Sequence, residues 1–177
     1  MSTKKTDAST WIAHRKSAIH GRGVYARRPI PDGTRVIEYM GERITKPEAL
    51  RREVQRLARQ RKGGDDCVYI FNLNRRHDLD GRARGNIARL INHSCTPNCR
   101  TTIVRGRVWI EARREIAVGE ELTFDYGFSF TEWRNHPCRC GSRRCAGFIV
   151  GSHQRWRLRR LSRSERATAR GNPPVEK

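Results

Sequence analysis

The chain has 177 residues, of which 36% are hydrophobic and 32% are charged, and its formal net charge is +20 at pH 7. This length is most simply one domain with a small core, because domains cluster at roughly 100–150 residues. No stretch approaches the roughly 20 apolar residues of a membrane-spanning helix, and the N-terminus lacks the apolar run of a secretory signal. We therefore expect an intracellular protein without a membrane partner.

The first half of the chain predicts strands and one helix. Residues 1–10 are polar, and we expect a flexible N-terminus. Residues 36–44 alternate β-branched and polar side chains, which is typical of a strand. Residues 47–62 form a helix signature, with a proline in the first turn and a glycine pair after its end. The apolar side chains of this helix form a thin stripe: Leu50, Val54 and Leu57.

The second half predicts further short strands. Residues 67–73 form one candidate, residues 101–116 form a hairpin that turns at Arg105 and Gly106, and residues 121–127 form a strand that ends in a glycine turn. With no internal repeat and one helix of note, the pattern predicts a mostly β (α+β) fold. Residues 152–170 contain seven arginines and one glutamate, and we expect residues 172–177 to fray.

The cysteines suggest a metal site. In a reducing compartment, metal binding is more common than disulfide formation. Cys138, Cys140 and Cys145 supply three thiolates, whereas a closed structural zinc site normally has four ligands. The next cysteines upstream are Cys95 and Cys99, which are distant in sequence but available in space. The alternative is a set of free or buried cysteines with chance spacing.

Two short polar motifs suggest a ligand pocket. Asn92 and His93 follow two apolar residues, and their donors and acceptors suit an adenosine or amino-acid group. They could equally cap their own turn. Gly21 and Gly23 would let the backbone approach a ligand closely, although a simple turn explains this pair as well.

Aromatic residues recur in the strand-like segments. Phe124 and Tyr126 are two residues apart, so they face the same side of a strand. Tyr39 and Tyr69 lie in otherwise apolar strings. Ordinary core packing is the alternative reading of all three tyrosines.

Five strings occur in a characteristic order: HGRGVYA, IEYMGERI, GNIARLINHSCTPNC, GEELTFDYG and CRCGSRRCAGF. Over about residues 14–150 the chain resembles SET-domain protein lysine methyltransferases with a post-SET zinc-binding segment. The resemblance implies a SET-domain β-clip of small curled sheets with a pseudoknot, one inserted helix and a zinc-bound C-terminal segment. The implied boundaries are 11–130 for the SET domain, about 46–66 for a variable insert that helps to choose substrate, 131–151 for the post-SET segment and 152–177 for a basic tail.

The resemblance also implies roles for individual residues. Tyr126 would be the catalytic-site tyrosine, with Tyr39 and Tyr69 lining the lysine channel. Phe124, where a tyrosine would restrict the product to monomethyl-lysine, implies a dimethyl or trimethyl product. S-adenosylmethionine would be bound by Gly21, Arg22, Gly23, Tyr25, Arg89, Asn92, His93, Tyr126 and Phe148. One structural Zn²⁺ would be bound by Cys95, Cys138, Cys140 and Cys145.

The function implied by the resemblance is protein-lysine N-methyltransferase, acting on a lysine of a basic, histone-like protein. The location would be cytoplasmic in a bacterium, and nuclear or chromatin-associated in a eukaryote or after delivery to a host. One alternative is a non-catalytic, zinc-containing nucleic-acid-binding protein: the arginines of 47–62 and 152–170 could contact the phosphates of DNA or another polyanion, and Trp156 could stack on a base. Another is an inactive SET fold that binds a peptide.

Overall fold

The computed structural model describes residues 10–63 and 67–171, and within them short strands predominate. The strands are β1 (Ile12–Lys16), β2 (Arg22–Ala26), β3 (Arg35–Tyr39), β4 (Glu42–Thr45), β5 (Ile70–Asn72), β6 (His77–Asp80), β7 (Asn92–His93), β8 (Cys99–Val104), β9 (Arg107–Ala112) and β10 (Thr123–Phe124). The helices are α1 (Lys46–Arg61), α2 (Arg155–Arg159) and α3 (Arg163–Gly171), with 3-10 turns at Ile87–Leu90, Phe130–Asn135 and Ser152–Gln154. The expectation of a mostly β fold is confirmed. The expected flexibility of residues 1–9, the end of the insert at 64–66 and the expected fraying of 172–177 lie outside the described residues.

These strands form four small sheets. Their orders are β1-β2, β3-β9-β8, β4-β6-β5 and β10-β7. All pairs are antiparallel except β7 with β10, which is parallel. A parallel pair cannot be joined by a tight turn, so the chain makes the β8-β9 hairpin before it returns to β7.

The returning segment is held on two sides. The Leu122 N–H donates to the Val24 carbonyl of β2 at 2.8 Å. The Asn98 side chain accepts from the Thr123 N–H at 2.8 Å and donates to the Glu121 carbonyl at 2.8 Å. The chain after β7 and the chain around β10 are therefore interlocked, as the implied pseudoknot requires.

Two hydrophobic clusters lie in the interior. The larger one joins the sheets, and its fully buried side chains include Val24, Ile30, Ile91, Ile110 and Leu122. The smaller one consists of Trp133, Phe148, Val150 and Leu158. Full burial of one such side chain stabilises the fold by about 1.5–3 kcal/mol.

The strand predicted over residues 36–44 divides into β3 and β4, which belong to different sheets. The break occurs at Met40 and Gly41. A side chain at Gly41 would place its Cβ 2.5 Å from the Asp80 carbonyl oxygen, so the two backbones approach closely there. The strand predicted over 67–73 is shorter than expected and keeps only β5.

The predicted hairpin is confirmed. β8 and β9 pair antiparallel, and the turn lies at Arg105 and Gly106 with φ values of 51° and 75°. Two consecutive positive φ values are the geometry of the two-residue turn that matches the twist of a hairpin.

Helix α1 occupies the predicted segment, but its apolar stripe does not face the core. Leu50 and Val54 are 67% and 58% exposed, whereas Arg56 is 3% exposed. The side that faces β6 makes ion pairs instead, among them Arg52 with Asp80 at 2.7 Å. The stripe therefore does not explain how the helix packs.

The segment predicted as a basic tail forms α2 and α3 over much of its length. Leu158 of α2 is 2% exposed and belongs to the smaller hydrophobic cluster. This segment thus packs against residues that precede it. Across residues 10–63 and 67–171, none of the helices has both the length and the apolar character needed to cross a bilayer.

Candidate functional site

Two neighbouring cavities lie where β7 and β10 meet. The wide cavity has a volume of about 380 Å³, and the aromatic cavity has a volume of about 30 Å³. They share Tyr69, Arg89 and Tyr126 as wall residues. Ligand sites commonly measure about 300–1,000 Å³, so the wide cavity could hold a small molecule and the aromatic cavity could admit a narrow chain.

The wide cavity brings together six of the residues predicted to bind a cofactor. These are Gly21, Arg22, Arg89, Asn92, His93 and Tyr126. Gly21 has a φ of +48°, and no heavy atom lies within 4 Å of where its Cβ would be. Glycine adopts this left-handed conformation without strain, and here it leaves open space beside the backbone.

Three other predicted cofactor residues do not line the wide cavity. Gly23 is buried, and a Cβ there would lie 2.7 Å from the carboxyl carbon of Glu121. The Tyr25 hydroxyl donates to Glu121 Oε2 at 3.0 Å. Phe148 is fully buried, with its ring centroid 4.6 Å from that of Trp133. Gly23 and Tyr25 contact Glu121, which bonds Asn92 of the cavity wall. Phe148 pairs with Pro137 of the same wall.

Glu121 is a site residue that the sequence reasoning missed. Its carboxylate accepts hydrogen bonds from Ser17 Oγ at 2.8 Å and from Asn92 Nδ2 at 2.8 Å. Asn92 Nδ2 also lies 3.2 Å from the His20 carbonyl and 3.1 Å from the Arg22 carbonyl. The Asn92 amide therefore holds the glycine loop in place. A carboxylate beside a buried strand was the available signal, because such a group needs partners.

His93 connects the cavity to the cysteines. It is 2% exposed, and its Nδ1 accepts from the Tyr126 N–H at 3.2 Å. A neutral imidazole then carries its proton on Nε2, which lies 3.7 Å from Cys95 Sγ. Both ring nitrogens are thus engaged in holding neighbouring segments.

The aromatic cavity brings together the four residues predicted for the catalytic site: the channel residues Tyr39 and Tyr69, the catalytic-site Tyr126, and Phe124, which was expected to set the product. The ring centroids of Phe124 and Tyr126 are 4.9 Å apart. Phe128, which the sequence reasoning missed, lines both cavities with its centroid 5.5 Å from that of Tyr126. It continues the spacing of two residues from Phe124, and that spacing was the signal.

Two phenols face this region in their protonated form, that of the buried Tyr39 and that of the partly buried Tyr126. Burial raises the pKa of both Tyr39 and Tyr126 well above the usual value. The Tyr39 hydroxyl donates to the Tyr69 carbonyl at 2.9 Å, and the Tyr126 hydroxyl donates to the Ile91 carbonyl at 3.0 Å. At neutral pH these groups can orient a ligand, but they cannot accept its proton.

Four cysteines form a compact cluster beside the wide cavity. The Sγ atoms of Cys95, Cys138, Cys140 and Cys145 all lie within 4.8 Å of one another. Cys95 Sγ and Cys138 Sγ are 3.7 Å apart, close to the ~3.8 Å sulfur separation of a tetrahedral site with 2.3 Å Zn–S bonds. Cys99 is 1% exposed and outside the cluster, and burial raises the pKa of its thiol to about 12.

The backbone around the cluster favours thiolates. The Ala146 N–H donates to Cys95 Sγ at 3.4 Å, and the Cys95 N–H donates to Cys140 Sγ at 3.5 Å. A hydrogen bond from the Cys138 thiol lowers the pKa of Cys95 and raises that of Cys138 itself. Four sulfurs with these donors could hold one zinc ion.

Known proteins resemble this chain over most of its length. The model of the SET domain family matches residues 21–127. A protein named histone-lysine N-methyltransferase, H3 lysine-4 specific, from Aspergillus fumigatus is 43% identical over 141 residues, which cover 76% of this chain and 11% of the relative. The Saccharomyces cerevisiae protein of that name is 41% identical over 140 residues, 76% of this chain and 13% of the relative.

A third relative is named histone-lysine N-methyltransferase trithorax, from Drosophila virilis. It is 40% identical over 151 residues, which cover 83% of this chain and 4% of the relative. The chain therefore spans only a small part of the length of the relatives that it matches. Since the matched residues 21–127 make up more than half of the chain and contain both cavities' central strands, the chain belongs to the SET-domain family.

Proposed function

We propose that this protein is a protein-lysine N-methyltransferase, which transfers methyl groups from S-adenosylmethionine to a lysine of a basic, histone-like protein. The observation that carries this proposal is the meeting of the two cavities at Tyr126. One cavity has the size of a small-molecule site, and the other is small and has apolar walls that suit the aliphatic chain of a lysine.

The wide cavity fits the proposed methyl donor. Gly21 and Arg22 offer backbone groups beside open space, while Arg89 and His93 complete the wall. The aromatic faces of Tyr126 and Phe128 suit a cationic ligand, because a ring carries negative charge on its face. When bound there, S-adenosylmethionine would supply an electrophilic methyl group.

The aromatic cavity would prepare the lysine amine. A free lysine has a pKa of about 10.4, so its deprotonation near neutral pH costs roughly 4 kcal/mol. Among the residues that the structure describes, those lining this cavity have aromatic and aliphatic side chains, together with the cation of Arg89, and none is a carboxylate. Apolar walls and a nearby positive charge both disfavour the ammonium form. The proton would leave to water, and Tyr126 would orient the amine.

The cysteine cluster would bind one structural Zn²⁺. Pro137, Cys138 and Arg139 line the wide cavity, so an ordered cluster would also order one wall of the methyl-donor site. Structural zinc sites of small peptides contribute about 10–16 kcal/mol to folding, which is ample for ordering such a segment.

The names of the relatives support a histone-like substrate. Two of them are named for lysine 4 of histone H3. We extend this to a lysine in a basic, histone-like protein, with a chromatin location in a eukaryotic cell or after delivery to a host and a cytoplasmic location in a bacterium.

The test is a methyl-transfer assay with labelled S-adenosylmethionine and a whole lysate, in which mass spectrometry identifies the modified lysine. The Tyr126→Phe variant should lose most turnover, because its ring can no longer orient the amine through a hydroxyl, and it should retain affinity for S-adenosylmethionine. Calorimetry that detects no uptake of S-adenosylmethionine by the zinc-loaded, folded protein would overturn the proposal. Uptake without any methylated protein would favour a peptide-binding SET fold.

A second candidate property is binding of DNA or another polyanion at α2. Trp156 is 50% exposed, and the guanidinium carbons of Arg157 and Arg160 lie 5.9 Å and 4.7 Å from its ring centroid. An exposed aromatic ring among arginines suits base stacking together with phosphate contacts. This property could coexist with catalysis, because a polyanion would offset the repulsion between a basic enzyme and a basic substrate.

A further inference from the structure

Arg155 is the first residue of α2 and lies outside residues 21–127, which match the SET domain. Its side chain is 15% exposed, and its guanidinium donates to three acceptors. Nε donates to the Val150 carbonyl at 2.9 Å, Nη1 donates to the Cys95 carbonyl at 2.6 Å, and Nη2 donates to Asp125 Oδ2 at 2.9 Å. One planar group therefore joins three separate segments of the chain.

Two of these acceptors adjoin the candidate site. Cys95 belongs to the cysteine cluster, and Asp125 directly precedes Tyr126. The Asp125 carboxylate also accepts from the Gly127 N–H at 3.1 Å and from the Ser152 N–H at 2.8 Å. Asp125 precedes Tyr126 and its side chain bonds the backbone of Gly127, which follows Tyr126. Arg155 in turn bonds this carboxylate.

The position of Arg155 is determined by packing of its helix. Leu158 of α2 is 2% exposed and packs with Trp133, Phe148 and Val150. The packing of Leu158 fixes α2, and the position of α2 in turn fixes where the Arg155 guanidinium meets its acceptors. Removing it would take a charged donor away from both Asp125 and the Cys95 carbonyl, and hydrogen bonds from charged donors are about twice as strong as neutral ones.

We propose that Arg155 is a positioning residue for methyl transfer, through which the C-terminal helices hold Tyr126 in the geometry that the reaction requires. The inference rests on the proposed function. Arg155 contacts neither cavity, so its effect should appear in the chemical step more than in binding of the methyl donor. A misplacement of about 1 Å at a reacting centre can lower a rate by about 100-fold.

The experiment compares Arg155→Ala and Arg155→Lys with Arg159→Ala, whose exposed side chain lies on the same helix. Arg155→Ala should lower kcat by about 10–100-fold and change the KM for S-adenosylmethionine by less than about threefold. A lysine can satisfy only part of the acceptor set, so Arg155→Lys should fall between Arg155→Ala and the unmodified protein. Millimolar guanidinium ion should restore part of the turnover of Arg155→Ala, whereas Arg159→Ala should behave as the unmodified protein.

A second readout does not depend on activity. Labelling with 3-fluorotyrosine gives one fluorine resonance for each of the four tyrosines, and Tyr126→Phe identifies that of Tyr126. Arg155→Ala should shift or broaden this resonance, and guanidinium ion should reverse the change. An unmoved Tyr126 resonance in Arg155→Ala, kcat within twofold of the unmodified protein, or an equal loss in Arg159→Ala would overturn the inference. If the unmodified protein is inactive and Arg155→Ala still shifts the Tyr126 resonance, that result would contradict only the proposed function.

Discussion

Phe124 is 5% exposed and stacks at an angle beside Tyr126 in a cavity of about 30 Å³. A Phe124→Tyr variant would add a hydroxyl to this small space. The cavity volume is comparable to that of one water molecule in the liquid, about 30 Å³. We expect the variant to shift the product toward monomethyl-lysine, because less space remains for a second or third methyl group. Mass spectrometry of the methylated substrate measures the shift. Only monomethyl-lysine from the unmodified protein would contradict the prediction of a dimethyl or trimethyl product.

A single methyl group added at Gly23 would affect the wide cavity through Glu121, although Gly23 itself does not line the cavity. A Cβ at this position would lie 2.7 Å from the Glu121 carboxyl carbon, and that carboxylate also bonds Ser17 and Asn92. We expect Gly23→Ala to displace Glu121, loosen the glycine loop and lower the affinity for S-adenosylmethionine by about tenfold or more. Calorimetric titration measures the change.

The matched control is Gly85→Ala. No heavy atom lies within 4 Å of the Cβ that this substitution would add, and Gly85 has no positive φ. The affinity of the Gly85→Ala variant for S-adenosylmethionine should stay within about twofold of that of the unmodified protein. Equal affinities of Gly23→Ala and Gly85→Ala would show that the Glu121 network does not support the cavity.

At the scale of elements, the cysteine cluster joins two parts of the chain that lack a common sheet. Cys95 follows β7, while the other three cysteines follow the 3-10 turn at Phe130–Asn135. His93 of β7 contacts Cys95 on one side and the Tyr126 backbone on the other. Metal binding at the cluster should therefore affect the wide cavity as well as stability.

We expect a zinc chelator to lower the melting temperature and the affinity for S-adenosylmethionine together, because Cys138 both belongs to the cluster and lines the wide cavity. Elemental analysis should find one zinc per chain. Cys145→Ser should reduce this zinc content, whereas Cys99→Ala should retain it, because Cys99 lies outside the cluster. Full zinc content in Cys145→Ser would contradict the proposed ligand set.

At the scale of the whole molecule, the net charge of +20 governs encounters with charged partners. Two exposed arginines of the C-terminal region, Arg157 and Arg160, lie beside Trp156. Phosphate contacts release counterions, so each one contributes about −0.9 to the slope of log affinity against log salt concentration on duplex DNA.

We expect binding to DNA to weaken steeply with salt, and replacement of these two arginines by glutamine to reduce the steepness of the slope by up to about 1.8. Trp156→Ala should leave the slope unchanged and weaken binding to single-stranded DNA by about 1–3 kcal/mol, the usual contribution of one stacked base. Fluorescence anisotropy at several salt concentrations measures both quantities. An unchanged slope in the double variant would show that α2 is not the polyanion surface.

Features that depend on neighbouring residues were predictable. The β8-β9 hairpin follows from turn chemistry at Arg105 and Gly106, and α1 follows from a proline start and a glycine end. The spacing of Phe124 and Tyr126 correctly indicated a shared face. The resemblance added the order of the motifs and a set of site residues, most of which line the two cavities.

Features that depend on distant partners were not predictable from local patterns. The strand over residues 36–44 breaks because Gly41 meets the Asp80 backbone, and the stripe of Leu50 and Val54 is exposed because α1 packs through ion pairs. The basic segment after Val150 contains one buried leucine, and its arginine count alone did not indicate packing.

By itself, the sequence determined which chemical groups are present and which short elements they occupy, because propensity, turn geometry and spacing act over a few residues. The family resemblance implied Cys95 as the fourth ligand, whereas cysteine spacing alone left Cys95 and Cys99 open, and the tertiary structure places Cys95 in the cluster. Only the tertiary structure decided that Glu121 holds the glycine loop and that Arg155 reaches Asp125. Each of these choices depends on distances between residues far apart in the chain. Such distances are set by the parallel pairing of β7 with β10 and by burial of the two hydrophobic clusters.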